Sequence, residues 1–191
     1  MERLEQGTTE GPEHKEAGLE IGDPAPNFQG LSGVDGRLRS LSDFKDKSVV
    51  VLVFTGNGCP AAKASEDRLI SLQRAYGAEG VQLVAINSNN PYLSPPDTHA
   101  EMVKHAAAKG WNFPYLKDED GRAARAFGAI STPHVFVLDR QRRVRYRGRI
   151  DDSRDPSRVM VRDLQNALDD LLAERPVRVP QTIPFGCSIV R

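Results

Sequence analysis

Cysteine is scarce: the 191-residue chain has two, Cys59 and Cys187. Two thiols so far apart exclude a disulfide-rich scaffold and a four-cysteine zinc site, and they suit a reducing compartment. Net charge is also missing, with 26 Lys and Arg against 26 Asp and Glu. Neither nucleic acid nor an anionic membrane is therefore drawn in by bulk electrostatics. No apolar run approaches the roughly 18 residues of a membrane span. His14, His99, His105 and His134 have no metal-ligand spacing, so the expectation is no metal and no cofactor. Residues 1–18 are rich in Glu and Gly and carry no apolar signal-peptide core, which reads as a disordered tail on a cytoplasmic protein. No internal repeat occurs.

Beyond that tail the patterning is α/β. Gly22-Asp-Pro-Ala-Pro-Asn-Phe28 is a proline-fixed extended segment, followed by short strand-like pieces around a turn at Val34–Gly36. Val49–Phe54 is apolar on both faces and reads as a central parallel strand. A helix with Ala62, Ser65, Leu69, Leu72 and Tyr76 on one stripe follows, then a second buried strand, Val81–Ile86. Strand, helix, strand at this spacing is a βαβ unit. Pro95 and Pro96 precede a helix for which Thr98 and Glu101 form a capping box. Trp111–Leu116 reads as a short edge piece, and a short helix through Phe127 stops at Gly128. Val135–Leu138 and Val144–Ile150 form a hairpin with one basic, solvated face. Asp155-Pro156 is expected to start the last helix, with Val161, Leu164, Leu168 and Leu171 on its apolar face. The chain then divides into a 1–18 tail, a 19–175 domain and an extended 176–191 tail carrying Cys187.

Cys59 stands where the Val49–Phe54 strand turns, through Thr55-Gly-Asn-Gly58, into Pro60-Ala-Ala-Lys63. A helix N-terminus presents unpaired N–H groups and about half a positive charge, which favours thiolate over thiol. Pro60 suits the first helical turn, and Gly56 and Gly58 are expected to let the backbone turn sharply and expose the sulfur. The expected chemistry is nucleophilic attack by Cys59 on a peroxide or a disulfide. The bland alternative is an ordinary cysteine at a strand-to-helix turn.

Three segments resemble the thioredoxin-fold redoxin superfamily, in its peroxiredoxin-like branch of alkyl hydroperoxide reductases and thiol-specific antioxidants. They are Gly22–Phe28, then Phe54–Lys63 with Cys59 at the nucleophile, then Ser131-Thr132-Pro133, which is similar to a cis-proline loop. The resemblance runs from about Leu19 to Arg175. It implies a thioredoxin-like fold: a central mixed sheet flanked by helices, with an N-terminal β extension and an extended C-terminal tail. It implies a thiol oxidoreductase, with Thr132 and Pro133 packed beside Cys59. Two departures narrow it. The position of a dithiol's second cysteine is Ala62, which rules out a local Cys59 disulfide. The family's Pro-x-x-x-Thr/Ser-x-x-Cys pattern falls on Leu52 and Gly56, so the peroxide-positioning hydroxyl is absent.

What completes the cycle is then Cys187, as a resolving thiol within one chain or across a dimer, or an external thioredoxin-like or low-molecular-weight thiol. A free or packing thiol in a tail is the even alternative for Cys187. Thr55, Asn57 and Lys63 are candidate substrate contacts. His134, the Asn87–Asn90 loop, Arg147, Arg149 and Asp151 are weaker candidates with bland structural alternatives. Two other functions stay open, a non-enzymatic redox sensor or partner-binding module and a monothiol disulfide reductase or isomerase. Copper delivery fits poorly, because it uses a paired cysteine. The physiological oxidant and the oligomeric state are left open.

Overall fold

Val49–Thr55 (β3) is buried along its whole length, as seven consecutive apolar or β-branched residues predict. The computed structural model describes residues 18–191; the tail expected to be disordered, with His14, falls almost wholly outside the described residues. β3 pairs in parallel with Val81–Asn87 (β4), in unbroken register from Val49↔Val81 to Thr55↔Asn87. Its other edge pairs antiparallel with His134–Leu138 (β7), so the strand is central but parallel on one side only. Leu31–Gly33 (β1), Leu38–Arg39 (β2), Tyr115–Lys117 (β5) and Val144–Gly148 (β8) complete a seven-stranded sheet of order β2-β1-β5-β4-β3-β7-β8. The edge expected at Trp111–Leu116 is instead interior. β5 is parallel to β4 on one side, and β1 pairs antiparallel with it on the other.

Alternation along β3 sends Val49, Val51 and Val53 to one face and Val50, Leu52 and Phe54 to the other. The first face packs against Leu69 and Ile70 of α2 (Glu66–Tyr76), Met102 of α3 (His99–Lys109) and Leu164 and Leu168 of α5 (Asp163–Leu172). The second packs against Phe28, Phe44 and Phe127, the last on α4 (Arg122–Phe127). Phe54 lies with its ring centroid 5.8 Å from both Phe127 and Phe136. Each such side chain taken from water contributes about 1.5–3 kcal/mol, so both layers are anchored on the strand that ends at Cys59.

Two helix boundaries and one cap differ from the sequence expectation. The helix after Cys59 is broken into Pro60–Lys63 (α1) and α2, with the Ser65 hydroxyl donating back to the Ala61 carbonyl at 3.1 Å. At α3 only half the capping box forms: Thr98 Oγ1 accepts from the Glu101 N–H, while the Glu101 carboxylate takes Lys104. The last helix begins at Asp163 rather than at Asp155. Asp155 caps a single 3-10 turn through the Ser157 N–H, and Asp152 takes the Met160 N–H, so the polar backbone between them is satisfied without a helix. Val161 is consequently exposed.

Beyond α5 the chain runs back along the sheet edge. Asp170 grips Arg175 and Arg178. Arg147 N–H then donates to Pro180 O at 3.0 Å, and Thr182 N–H to Arg147 O at 3.1 Å. Thr182 Oγ1 also meets Tyr146 Oη at 2.7 Å. At Gly148, φ is +142°, and a Cβ there would stand 2.1 Å from Thr182 Oγ1. Gly148→Ala is therefore expected to destabilise the fold by more than about 1 kcal/mol, measured by urea unfolding, and to speed proteolysis of the tail. Unchanged stability and unchanged tail cleavage would contradict this packing.

Candidate active site

Cys59 is the N-cap of α1, at the carboxyl end of β3. Its sulfur is not presented to solvent as the flanking glycines suggested: the residue is 3% exposed. Gly56 instead answers a need for space, because a Cβ there would fall 2.5 Å from Asn89 Nδ2. What covers the thiol is the C-terminal tail. Cys187–Ser188 (β9) pairs antiparallel with Ser131–Thr132 (β6), in the register Thr132↔Cys187 and Ser131↔Ser188.

The Thr132–Pro133 peptide bond is cis. Cys59 Sγ donates to the Thr132 carbonyl oxygen at 3.0 Å. Close approach of the tail requires Gly186, where a Cβ would stand 2.0 Å from Thr132 O and 3.3 Å from Ala61 Cβ. Cys187 packs onto a small cluster of Cys59, Ala61 and Ala62. Ala62 is the position that a local dithiol would fill with its second cysteine, and the tail brings a cysteine to that spot from 125 residues downstream (187 minus 62). Both cysteines are free thiols.

The two thiols are pushed in opposite directions. Burial raises Cys59, but hydrogen bonds from the Cys187 thiol, the Thr132 hydroxyl and the Ala62 N–H outweigh it, and the thiol ends below its ordinary range. Burial also raises Cys187; donating to Cys59 and facing its developing charge raise it further. One thiol is biased toward its thiolate and the other toward keeping its proton. α1 is a single turn, so the local N–H and thiol donors carry more of this shift than a long helix dipole would.

The other predicted residues fall as follows. Thr55 is buried in β3 opposite Asn87. Asn57 turns inward and spends its polar groups on protein: its N–H on Asp97 Oδ1 at 2.6 Å, its Nδ2 on Pro96 O, its Oδ1 on Tyr115 Oη. Lys63 is exposed at the end of α1. Arg149 is paired with Asp163, and Asp151 with Arg68, so neither stands free at the thiol. Arg147 reaches back to the Leu19 carbonyl. A cavity of about 630 Å³ between α2 and α5 is lined by neither cysteine.

Asp97 escaped the sequence reading. Read along the chain it is one acidic residue between a Pro-Pro pair and a helix cap. In the fold it is fully buried and accepts from Asn57 N–H, Asn87 Nδ2, Asn89 Nδ2 and Ser94 Oγ. Its donors come from two loops and the end of β4, one of them 40 residues away, and no linear pattern reports that.

His134 belongs to the wall rather than to the thiol. Its ring lies 4.6 Å from that of Phe136, and burial, with Arg147 nearby, pushes its pKa down to about 4. The unfolded chain holds a proton there at a pH where the folded chain does not, so this histidine makes stability fall as pH drops from about 6.5 to about 4. His134→Gln is expected to flatten the stability profile across that window, read by urea unfolding at successive pH values. An unchanged slope would contradict the assignment.

The family model for the AhpC/TSA family matches residues 21–147. Among curated proteins, the thiol-disulfide oxidoreductase ResA of Geobacillus thermodenitrificans is 29% identical over 125 residues, covering 65% of this chain and 67% of that protein. An uncharacterized conserved protein from Geobacillus kaustophilus superposes with a TM-score of 0.85 at 39% identity, over 91% of this chain and 93% of its own. A hypothetical protein from Sinorhizobium meliloti gives 0.85 at 34% identity, over 91% and 95%. The peroxidoxin BcpB of Mycobacterium tuberculosis, at 22% identity and a TM-score of 0.58 over 81% and 95%, shares the thioredoxin-like fold.

Proposed function

The chain belongs to the AhpC/TSA family, and from that premise we propose a thiol-dependent oxidoreductase whose redox couple is Cys59 with Cys187 of the same chain. One observation carries the proposal: β9 sets Cys187 in register beside Thr132, over Ala62 and against Cys59. A second cysteine absent from the active-site loop is thereby supplied from the tail.

The Cys59 thiolate attacks the terminal oxygen of a hydroperoxide; the O–O bond breaks, leaving a sulfenic acid and releasing an alcohol or water. The Cys187 sulfur then attacks the sulfenic sulfur, expelling water and closing the disulfide. With a disulfide as oxidant, Cys59 attacks one sulfur, and Cys187 displaces the second half from the mixed disulfide. Either route oxidises the pair by two electrons. Two thiol equivalents, from a thioredoxin-like protein or a small thiol, restore it. Thr132 contributes through its hydroxyl, which favours the Cys59 thiolate, and through its carbonyl, which accepts from the Cys59 thiol, with Pro133 next to it on the same loop. The cytoplasm, where a thiol pool regenerates such a couple, is the compartment this reading assigns, supported by a sequence with only two, widely spaced cysteines.

Cys59→Ser is expected to reduce peroxide consumption and disulfide exchange to the level of free solution thiol. Cys187→Ser is expected to complete one oxidation and stop, leaving a sulfenate that dimedone labels stoichiometrically, or a mixed disulfide at Cys59. Full turnover by the Cys59→Ser protein would overturn the nucleophile. The same oxidised products with and without Cys187 would remove its resolving role.

A further inference from the structure

Asn89 touches neither sulfur, yet its amide joins the two segments that carry them. Its Nδ2 donates to Asp97 Oδ2 at 3.0 Å. The other oxygen of that carboxylate accepts the N–H of Asn57, two residues before Cys59, at 2.6 Å. Its Oδ1 accepts the N–H of Val190, three residues after Cys187, at 2.9 Å. The Asn90 N–H gives a second tie, to the Val190 carbonyl at 2.8 Å. Asn89 is itself held: its N–H donates to Asn87 Oδ1 and its carbonyl accepts from the buried Lys117 ammonium at 2.6 Å. Gly56 lacks a Cβ at the one point where it would strike the Asn89 amide.

We propose that Asn89, backed by Asp97, is the positioning residue of the dithiol, a latch that fixes the Cys187 strand against the Cys59 loop and so sets how readily the disulfide closes. The inference rests on the Cys59–Cys187 couple proposed above. Disulfide closure within a chain depends on the effective concentration of one thiol at the other, which falls when the tethering segment frays. β9 has only two residues in its ladder and contributes few bonds of its own. Beyond it the tail is held by Ile189, buried in the apolar layer with its N–H on Ile130 O, and by the Val190 latch.

Val190→Pro removes the N–H that Asn89 accepts, at a half-buried position near the end of the chain. In a glutathione redox buffer, two glutathiones reduce the protein disulfide to the dithiol and leave as glutathione disulfide. The equilibrium constant for closing the Cys59–Cys187 disulfide in that buffer is expected to fall about three- to tenfold in Val190→Pro, the range of one hydrogen bond. Asn89→Ala is expected to lower it by at least as much. The double variant is expected to show no further loss from Val190→Pro, because the two residues act through one contact. The Cys59 thiolate, followed by its ultraviolet absorbance against pH, is expected to titrate higher in both single variants as Cys187 draws away. Equal equilibrium constants and equal titrations in wild type and Val190→Pro would overturn the latch. Additive losses would also overturn it, showing that each residue acts on overall stability. Absence of any disulfide in the wild type would instead overturn the redox couple itself, so the two failures are distinct.

Discussion

The pairing of Thr132 with Cys187 is the contact on which the site depends. Two residues of ladder put the tail's cysteine on the same ledge as the Thr132 carbonyl, which already holds the Cys59 thiol. Everything around that contact is arranged to permit it. Gly186 gives up its side chain so that the backbones can meet, and Ala61 and Ala62 are small enough to leave room for a sulfur. Thr182 and Gly148 dock the preceding tail on β8, and Val190 ties the end to the Asn89–Asn90 loop.

This arrangement changes what burial means for Cys59. A cysteine at a strand-to-helix turn is ordinarily met from solvent, but here the sulfur donates to the Thr132 carbonyl and a second thiol of the same chain packs against it. The neighbour donates to it, lowers its pKa and keeps its own proton. The two sulfurs are thereby biased in opposite directions, Cys59 toward thiolate and Cys187 toward thiol. Cys187 packs on Ala61 and Ala62, while the space beside Gly56 is taken by the Asn89 amide.

Much of the fold was legible because its signals are local. The unbroken apolar run of β3, the clean alternation of β8 and the glycine stop of α4 each follow from a period or a cap visible within ten residues. The edge at Trp111–Leu116 was misjudged because β1, which covers it, is three residues of weak pattern lying about 80 positions earlier. The late start of α5 was missed because Asp152 and Asp155 satisfy the intervening backbone with side chains, and hydrophobic periodicity does not register that. At the site, Cys59 was readable from its address between strand and helix. Cys187 was readable only as a second thiol, its nearness being a matter of tail path. Asp97 and the bridging role of Asn89 are set by contacts among two loops and the C-terminal tail, so only the folded chain shows them.

The central claim is a disulfide between Cys59 and Cys187 within one chain. Its most direct test is the intact mass of the wild-type protein after one equivalent of hydrogen peroxide, followed by denaturation and alkylation. The account predicts a monomer lighter by two hydrogens in which neither cysteine takes the alkylating label. A monomer with both cysteines labelled, or a disulfide-linked dimer, would contradict it.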